Sequence, residues 1–122
     1  MRKYVLIAAL LFVLHTAEEA LFRFWNSDSL TLALSNALHL APGVVYWSGQ
    51  ILFYTFLMSL LCIPRLIKNK ILLTILGLLL LFEFQHLIIA AQSGQYQPGL
   101  ITGVILAFYG ILYGYRLIKN KI

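Results

Sequence analysis

His15, Glu18 and Glu19 stand together in LLFVLHTAEEALFRFW, and Glu83 and His86 in LGLLLLFEFQHLIIAAQ. Three of the four acidic residues of the chain therefore lie in apolar runs, each with a histidine one helical turn away. A carboxylate near a bilayer centre costs roughly 2.5 to 3.5 kcal/mol, so three cost roughly 8 to 10 kcal/mol unless something compensates. The compensating partner expected from these residue types is a metal ion, a proton or a substrate held between two helices.

Helical phase puts each cluster on one face. At about 100° per residue, Glu18 lies about 60° to one side of His15 and Glu19 about 40° to the other, while Glu83 and His86 are about 60° apart. H-x-x-E on one helix is complementary in order to E-x-x-H on a parallel one. The shared spacing selects His15, Glu18, Glu83 and His86 as ligands of a divalent ion, Zn, Fe or Mn, in a mononuclear or dinuclear site. Glu19, on the opposite flank, is then the expected general base, or else a second ligand.

The elements that must position these residues follow from hydropathy. With 61% hydrophobic and 11% charged residues, the chain reads as an all-α integral membrane protein of one domain, 1–122. Spans of about 18 to 22 residues are expected at Tyr4–Trp25, Val44–Ile63, Ile71–Gln92 and Leu100–Leu117. Eight of the nine basic residues fall at alternate ends of these spans and only Arg23 on the far side, so both termini are expected in the cytoplasm. The net charge of +5 is thereby a topology signal, with membrane lipids rather than nucleic acid as the partner. Arg2 and Lys3 begin the first span as they would a signal peptide, but no small-x-small site follows, and an uncleaved span is expected. The single Cys62 has no partner for an intrachain disulfide.

RLIKNKI occurs at 65–71 and again at 116–122, each time ending a span that opens with Pro-Gly. Two tandem helical hairpins are expected, about 1–71 and 71–122, with the first and third spans parallel. At a rise of about 1.5 Å per residue, His15 and Glu83 are then about 16 and 18 Å deep, and Glu18 and His86 about 21 and 22 Å. The two clusters share a depth.

Between the first two spans, SDSLTLALSNALHLA at 27–41 reads as a short interfacial helix behind a Ser/Asp cap, more simply a connector than a lid, with His39 on its solvated side. Tyr46, Gln50 and Tyr54 recur every four residues on the second span, and Thr102, Tyr109 and Tyr113 mark one face of the last. Gln50, Thr102 and Tyr109 are candidates to support the ligands or contact substrate, unless they only pack helices, and Tyr96 is placed to close the outer mouth of the site. Gly103, Gly110 and Gly114 allow close helix approach, within the chain or in a homodimer.

His15-Thr16-Ala17-Glu18-Glu19, the later His86, and Tyr96-Gln97-Pro98-Gly99-Leu100-Ile101-Thr102 together resemble the HXXEE family of small, mostly bacterial membrane proteins, with its HxxEE motif, further histidine and YxPGxxT motif. The resemblance implies a shared fold and site in a bacterial inner membrane. Glu18-Glu19-Ala20-Leu21-Phe22-Arg23 and Phe82-Glu83-Phe84-Gln85-His86 also resemble the EExxxR and FxxxH elements of the intramembrane glutamate proteases of the CAAX-processing type. Their third element, HxxxN or HxxxD, is absent, because His15, His39 and His86 are followed four residues later by Glu19, Gly43 and Ala90.

The expected function is metal-dependent chemistry, hydrolytic or redox, on a lipid or other hydrophobic small molecule that reaches the site from the bilayer. The same residues also suit a transporter or proton relay, a glutamate-protease-like hydrolase, a haem held by two histidines, or buried His-Glu hydrogen bonds that only lock two helices together.

Overall fold

A computed structural model describes residues 1–119 of the chain. Among them are six α-helices: α1 (Arg2–Leu21), α2 (Ser29–Leu38), α3 (Pro42–Cys62), α4 (Lys70–Phe82), α5 (Phe84–Ser93) and α6 (Leu100–Lys119). With α4 and α5 taken together as Lys70–Ser93, four helices are long and apolar enough to cross a membrane. The second RLIKNKI copy runs past residue 119, so part of the expected repeat lies outside the described residues.

Local sequence explains most of the helix ends. Asp28 caps α2, accepting from the Thr31 N–H at 2.8 Å and the Thr31 hydroxyl at 2.6 Å. Pro42 begins α3 in the first turn, where its missing N–H costs nothing. Asn69 accepts from the N–H groups of Ile71 and Leu72 to start α4. α5 stops at Gly94 in a left-handed conformation.

Two expected spans differ from the observed helices. Hydropathy carries the first to Trp25, but α1 stops at Leu21, and Arg23 adopts a left-handed conformation with φ 51°. The chain turns there and continues as one 3₁₀ turn, Phe24–Asn26, which lays the Phe24 ring 5.2 Å from that of His86. Hydropathy makes the third span continuous, but it is interrupted at Glu83, where the His86 N–H bonds the Glu83 carbonyl at 3.2 Å. An i to i+3 turn brings side chains three residues apart nearly into eclipse. The interruption therefore aims Glu83 and His86 the same way more closely than a regular helix would.

α6 packs along α4 and α1 and meets α5, whereas α3 packs against α1 and α2. α3 and α4 are consecutive, yet they meet through the turn at Leu66–Lys68 rather than along each other. One half of the bundle is an apolar core that includes Val5, Phe12, Leu57, Leu76, Leu80 and Leu106. At Gly110 a Cβ would lie 2.9 Å from Leu80 Cβ, which is why α4 and α6 approach so closely there. Two tyrosines in this half satisfy their phenols on backbone carbonyls: the buried Tyr113 on Leu73 at 3.0 Å and the half-buried Tyr109 on Tyr4 at 2.8 Å. Polar side chains are concentrated in the other half.

Candidate functional site

His15, Glu19, Glu83 and His86 meet where α1, α6 and the α4–α5 break converge, all four buried. His15 Nε2 lies 3.0 Å from Glu83 Oε2 and 3.4 Å from Glu19 Oε1. His86 Nε2 lies 3.3 and 3.6 Å from the same two oxygens. Both imidazoles thus present the same nitrogen to the same pair of carboxylates. Neighbouring ligands of a tetrahedral ion with bonds of about 2.0 to 2.1 Å are about 3.3 to 3.4 Å apart, which matches these separations. Among the described residues, His15, Glu83 and His86 form a group that could hold a metal ion, their donor atoms lying within 4.8 Å of one another. Glu83 Oε2 and His86 Nδ1 are buried with no hydrogen-bond partner among the described residues.

Glu18 is not in this group. Its carboxylate turns to the start of α6, accepting from the N–H groups of Ile101 at 3.2 Å and Thr102 at 2.9 Å, from the Thr102 hydroxyl, and from the Tyr96 phenol. It caps in trans a helix start where unpaired N–H groups and the helix dipole favour an anion. Burial, with the Glu18 carboxylate beside it, pushes the Tyr96 phenol up to about 12, so Tyr96 stays protonated and donates. The grouping expected from the shared i to i+3 spacing is replaced by one in which Glu19, at i+4, faces the second histidine.

Glu18 still reaches the cluster, through Thr102. The Thr102 hydroxyl lies 2.9 Å from His15 Nδ1. A hydroxyl has one proton, and this one is directed to a carboxylate that already accepts from three other donors. Thr102 Oγ1 must therefore accept from Nδ1–H of His15. That fixes the tautomer and leaves the lone pair of a neutral His15 on Nε2, pointing at two carboxylates. Lone pair against carboxylate is repulsive unless a proton or a cation lies between them.

The remaining candidates divide by position. Tyr46 on α3 donates to Glu19 Oε2 at 2.7 Å, a contact that its four-residue spacing with Gln50 and Tyr54 hinted at. Gln50 accepts from Thr16 at 3.3 Å, and Tyr54 bonds Thr16 and the Phe12 carbonyl, so the stripe on α3 faces inward. Tyr109 belongs to the opposite half of the bundle, where it bonds Tyr4, and the structure does not bring it to the cluster. His39 is the exposed left-handed residue that ends α2.

Sequence reasoning missed Gly99 and Gly103 as parts of the site. Gly99 has φ +83°, and a Cβ on it would lie 2.7 Å from His15 Cε1, 3.0 Å from His86 Cε1 and 3.1 Å from Glu19 Cγ. On Gly103 it would lie 3.2 Å from His86 Cδ2. The signal was present in Pro-Gly four residues before a second glycine at the head of α6. Beside the cluster, a cavity of about 280 Å³ opens between α1, α3 and α4 beneath α2.

No curated protein and no solved structure matches the chain. The geometry gives the residues of two sequence motifs distinct physical roles, with His15 and Glu19 in the cluster, Glu18 on the α6 start, and Tyr96, Gly99 and Thr102 receiving them. Those motifs and a family model matching residues 6–113, described as a protein of unknown function with HXXEE motif, establish that the chain belongs to the HXXEE family.

Proposed function

We propose that this is a membrane-embedded metalloenzyme acting on a lipid or other hydrophobic molecule, with His15, Glu83 and His86 holding a divalent ion. The observation that carries the reading is the direction of His15. Thr102 and Glu18 hold its Nδ1–H, so Nε2 points into two carboxylates that also face Nε2 of His86. Two neutral imidazoles and two carboxylates leave a buried charge of −2, which a divalent ion cancels. A divalent ion there would supply Lewis acidity towards a water or a carbonyl oxygen.

Glu19 serves as the general base. Tyr46 holds its Oε2 at 2.7 Å, which leaves Oε1 facing the cluster to take a proton. Glu18 acts as an orienting residue, through Thr102. The donor set suits Zn, Fe or Mn, so the ion decides between hydrolytic and redox chemistry. Elemental analysis of the detergent-purified protein, joined to an absorption spectrum, tests the proposal directly. Near-stoichiometric Zn, Fe or Mn is expected. A metal-free protein that stays folded would overturn it in favour of protonated histidines bridging the carboxylates, and a strong Soret band would favour haem.

The orienting role has its own prediction. Thr102→Val removes the acceptor for His15 Nδ1–H while keeping the side-chain shape, and should weaken metal binding by about 10 to 100-fold, whereas Thr102→Ser should restore it. Chelator competition on the two purified variants measures both.

We further propose an inner-membrane protein with both termini in the cytoplasm, on the basic residues at alternate span ends. In a Cys62→Ser background, Lys68→Cys should resist a membrane-impermeant maleimide in intact cells and Ser27→Cys should react. The opposite pattern would reverse the topology.

A further inference from the structure

We infer that the cavity beside the His/Glu cluster takes an uncharged single-chain molecule, entering from the bilayer between α3 and α4 with its reactive end at the cluster. The inference rests on reading the cluster as the reactive centre, and adds the class of substrate. Charge is the first argument. None of the cavity's lining residues is Lys or Arg, whereas Glu19, Asp28 and Glu83 all line it. A phosphate or carboxylate headgroup would be desolvated there with no cationic side chain to receive it and with the proposed ion's charge already balanced by Glu19 and Glu83, a cost well above that of a neutral group. A cationic headgroup fares no better, because the proposed divalent ion already cancels the charge of Glu19 and Glu83, and Asp28 is held by the Thr31 N–H and hydroxyl.

Shape is the second argument. Away from the cluster the wall is apolar, with Phe12, Leu34, Phe53, Leu79 and Phe82 among its residues. A dry cavity of ~150 Å³ holds one benzene ring, so about 280 Å³ accommodates roughly ten carbon atoms of a single chain. Two larger grooves, one along α3 and one between α4 and α6, contain none of the four cluster side chains.

Access is the third. α3 and α4 meet at the Leu66–Lys68 turn and not along their lengths, and the cavity lies between them with Leu30, Thr31 and Leu34 of α2 above it. A chain sliding between the two helices meets apolar side chains first and the cluster last.

Gly49 offers a plug that leaves the cluster untouched. It lines the cavity, and a Cβ added there would meet nothing within 4 Å. The test uses the full-length protein in lipid nanodiscs and methyl decanoate carrying a terminal diazirine, with cross-links mapped by peptide mass spectrometry. Labelling is expected on the cavity wall. Methyl decanoate should compete at about tenfold lower concentration than either decanoate or decyltrimethylammonium. Gly49→Phe should cut labelling about tenfold and Gly49→Ala should change it little; if Gly49→Phe fails to fold, Gly49→Leu takes its place. Equal or better competition by either charged amphiphile, or labelling insensitive to the Gly49 plug, would overturn the inference. Metal content of the same samples reports separately on the metal reading, because labelling scores the cavity whether or not an ion is retained.

Discussion

His86→Ala is expected to lower metal affinity on the order of a hundredfold or more and to leave the purified protein nearly metal-free. His86 Nε2 faces both Glu83 Oε2 and Glu19 Oε1, at 3.3 and 3.6 Å, so its loss removes one of the two imidazoles among the three proposed ligands. Removing a ligand should cost at least as much as removing a group that merely orients one, which is about 10 to 100-fold. Metal per protein after dialysis against a chelator is the measurement. Glu19→Gln is the informative contrast: it keeps the size and the Tyr46 contact but removes the basicity. It should retain its metal and fold yet lose function in cells. Full function in Glu19→Gln would remove the general-base assignment. Wild-type metal content in His86→Ala would remove the ligand assignment.

Gly99→Ala should be among the most disruptive single-methyl substitutions in the chain. Two independent costs meet there: a positive φ of 83°, and a Cβ 2.7 Å from His15 Cε1 and 3.0 Å from His86 Cε1. Left-handed backbone costs a non-glycine residue about 1 to 2 kcal/mol, and forcing a methyl into packed side chains costs a further 1 to 3, so a loss of about 3 kcal/mol is expected. Gly94→Ala is the control, since it shares the positive φ, at 65°, but its Cβ meets nothing within 4 Å. That variant should lose only about 1 kcal/mol. Thermal unfolding in detergent compares the two, and metal content should fall only in Gly99→Ala, because only there does the methyl displace the imidazoles. Equal destabilisation would mean that backbone strain alone explains both and that α6 can recede from the cluster without loss.

Hydropathy made the four apolar helices legible, because an 18-residue apolar window has few other uses. The Asp28 cap and the Pro42 start were likewise local, depending on atoms within three residues. The chemistry-bearing residues were also visible in the sequence, since a carboxylate and a histidine one turn apart in an apolar run cannot be neutral to stability. What the helical period could not decide was which glutamate of the pair faces His86. Glu18 and Glu19 flank His15 at nearly equal angles, so local geometry favours neither. The choice is made by α6: its uncapped N–H groups at Ile101 and Thr102 take Glu18, and the space left by Gly99 lets Glu19 reach the imidazoles. The break at Glu83 and the distance of Tyr109 from the cluster are of the same kind. Each depends on where a neighbouring helix lies in depth and rotation, and a sequence period specifies a face of one helix without specifying what that face meets.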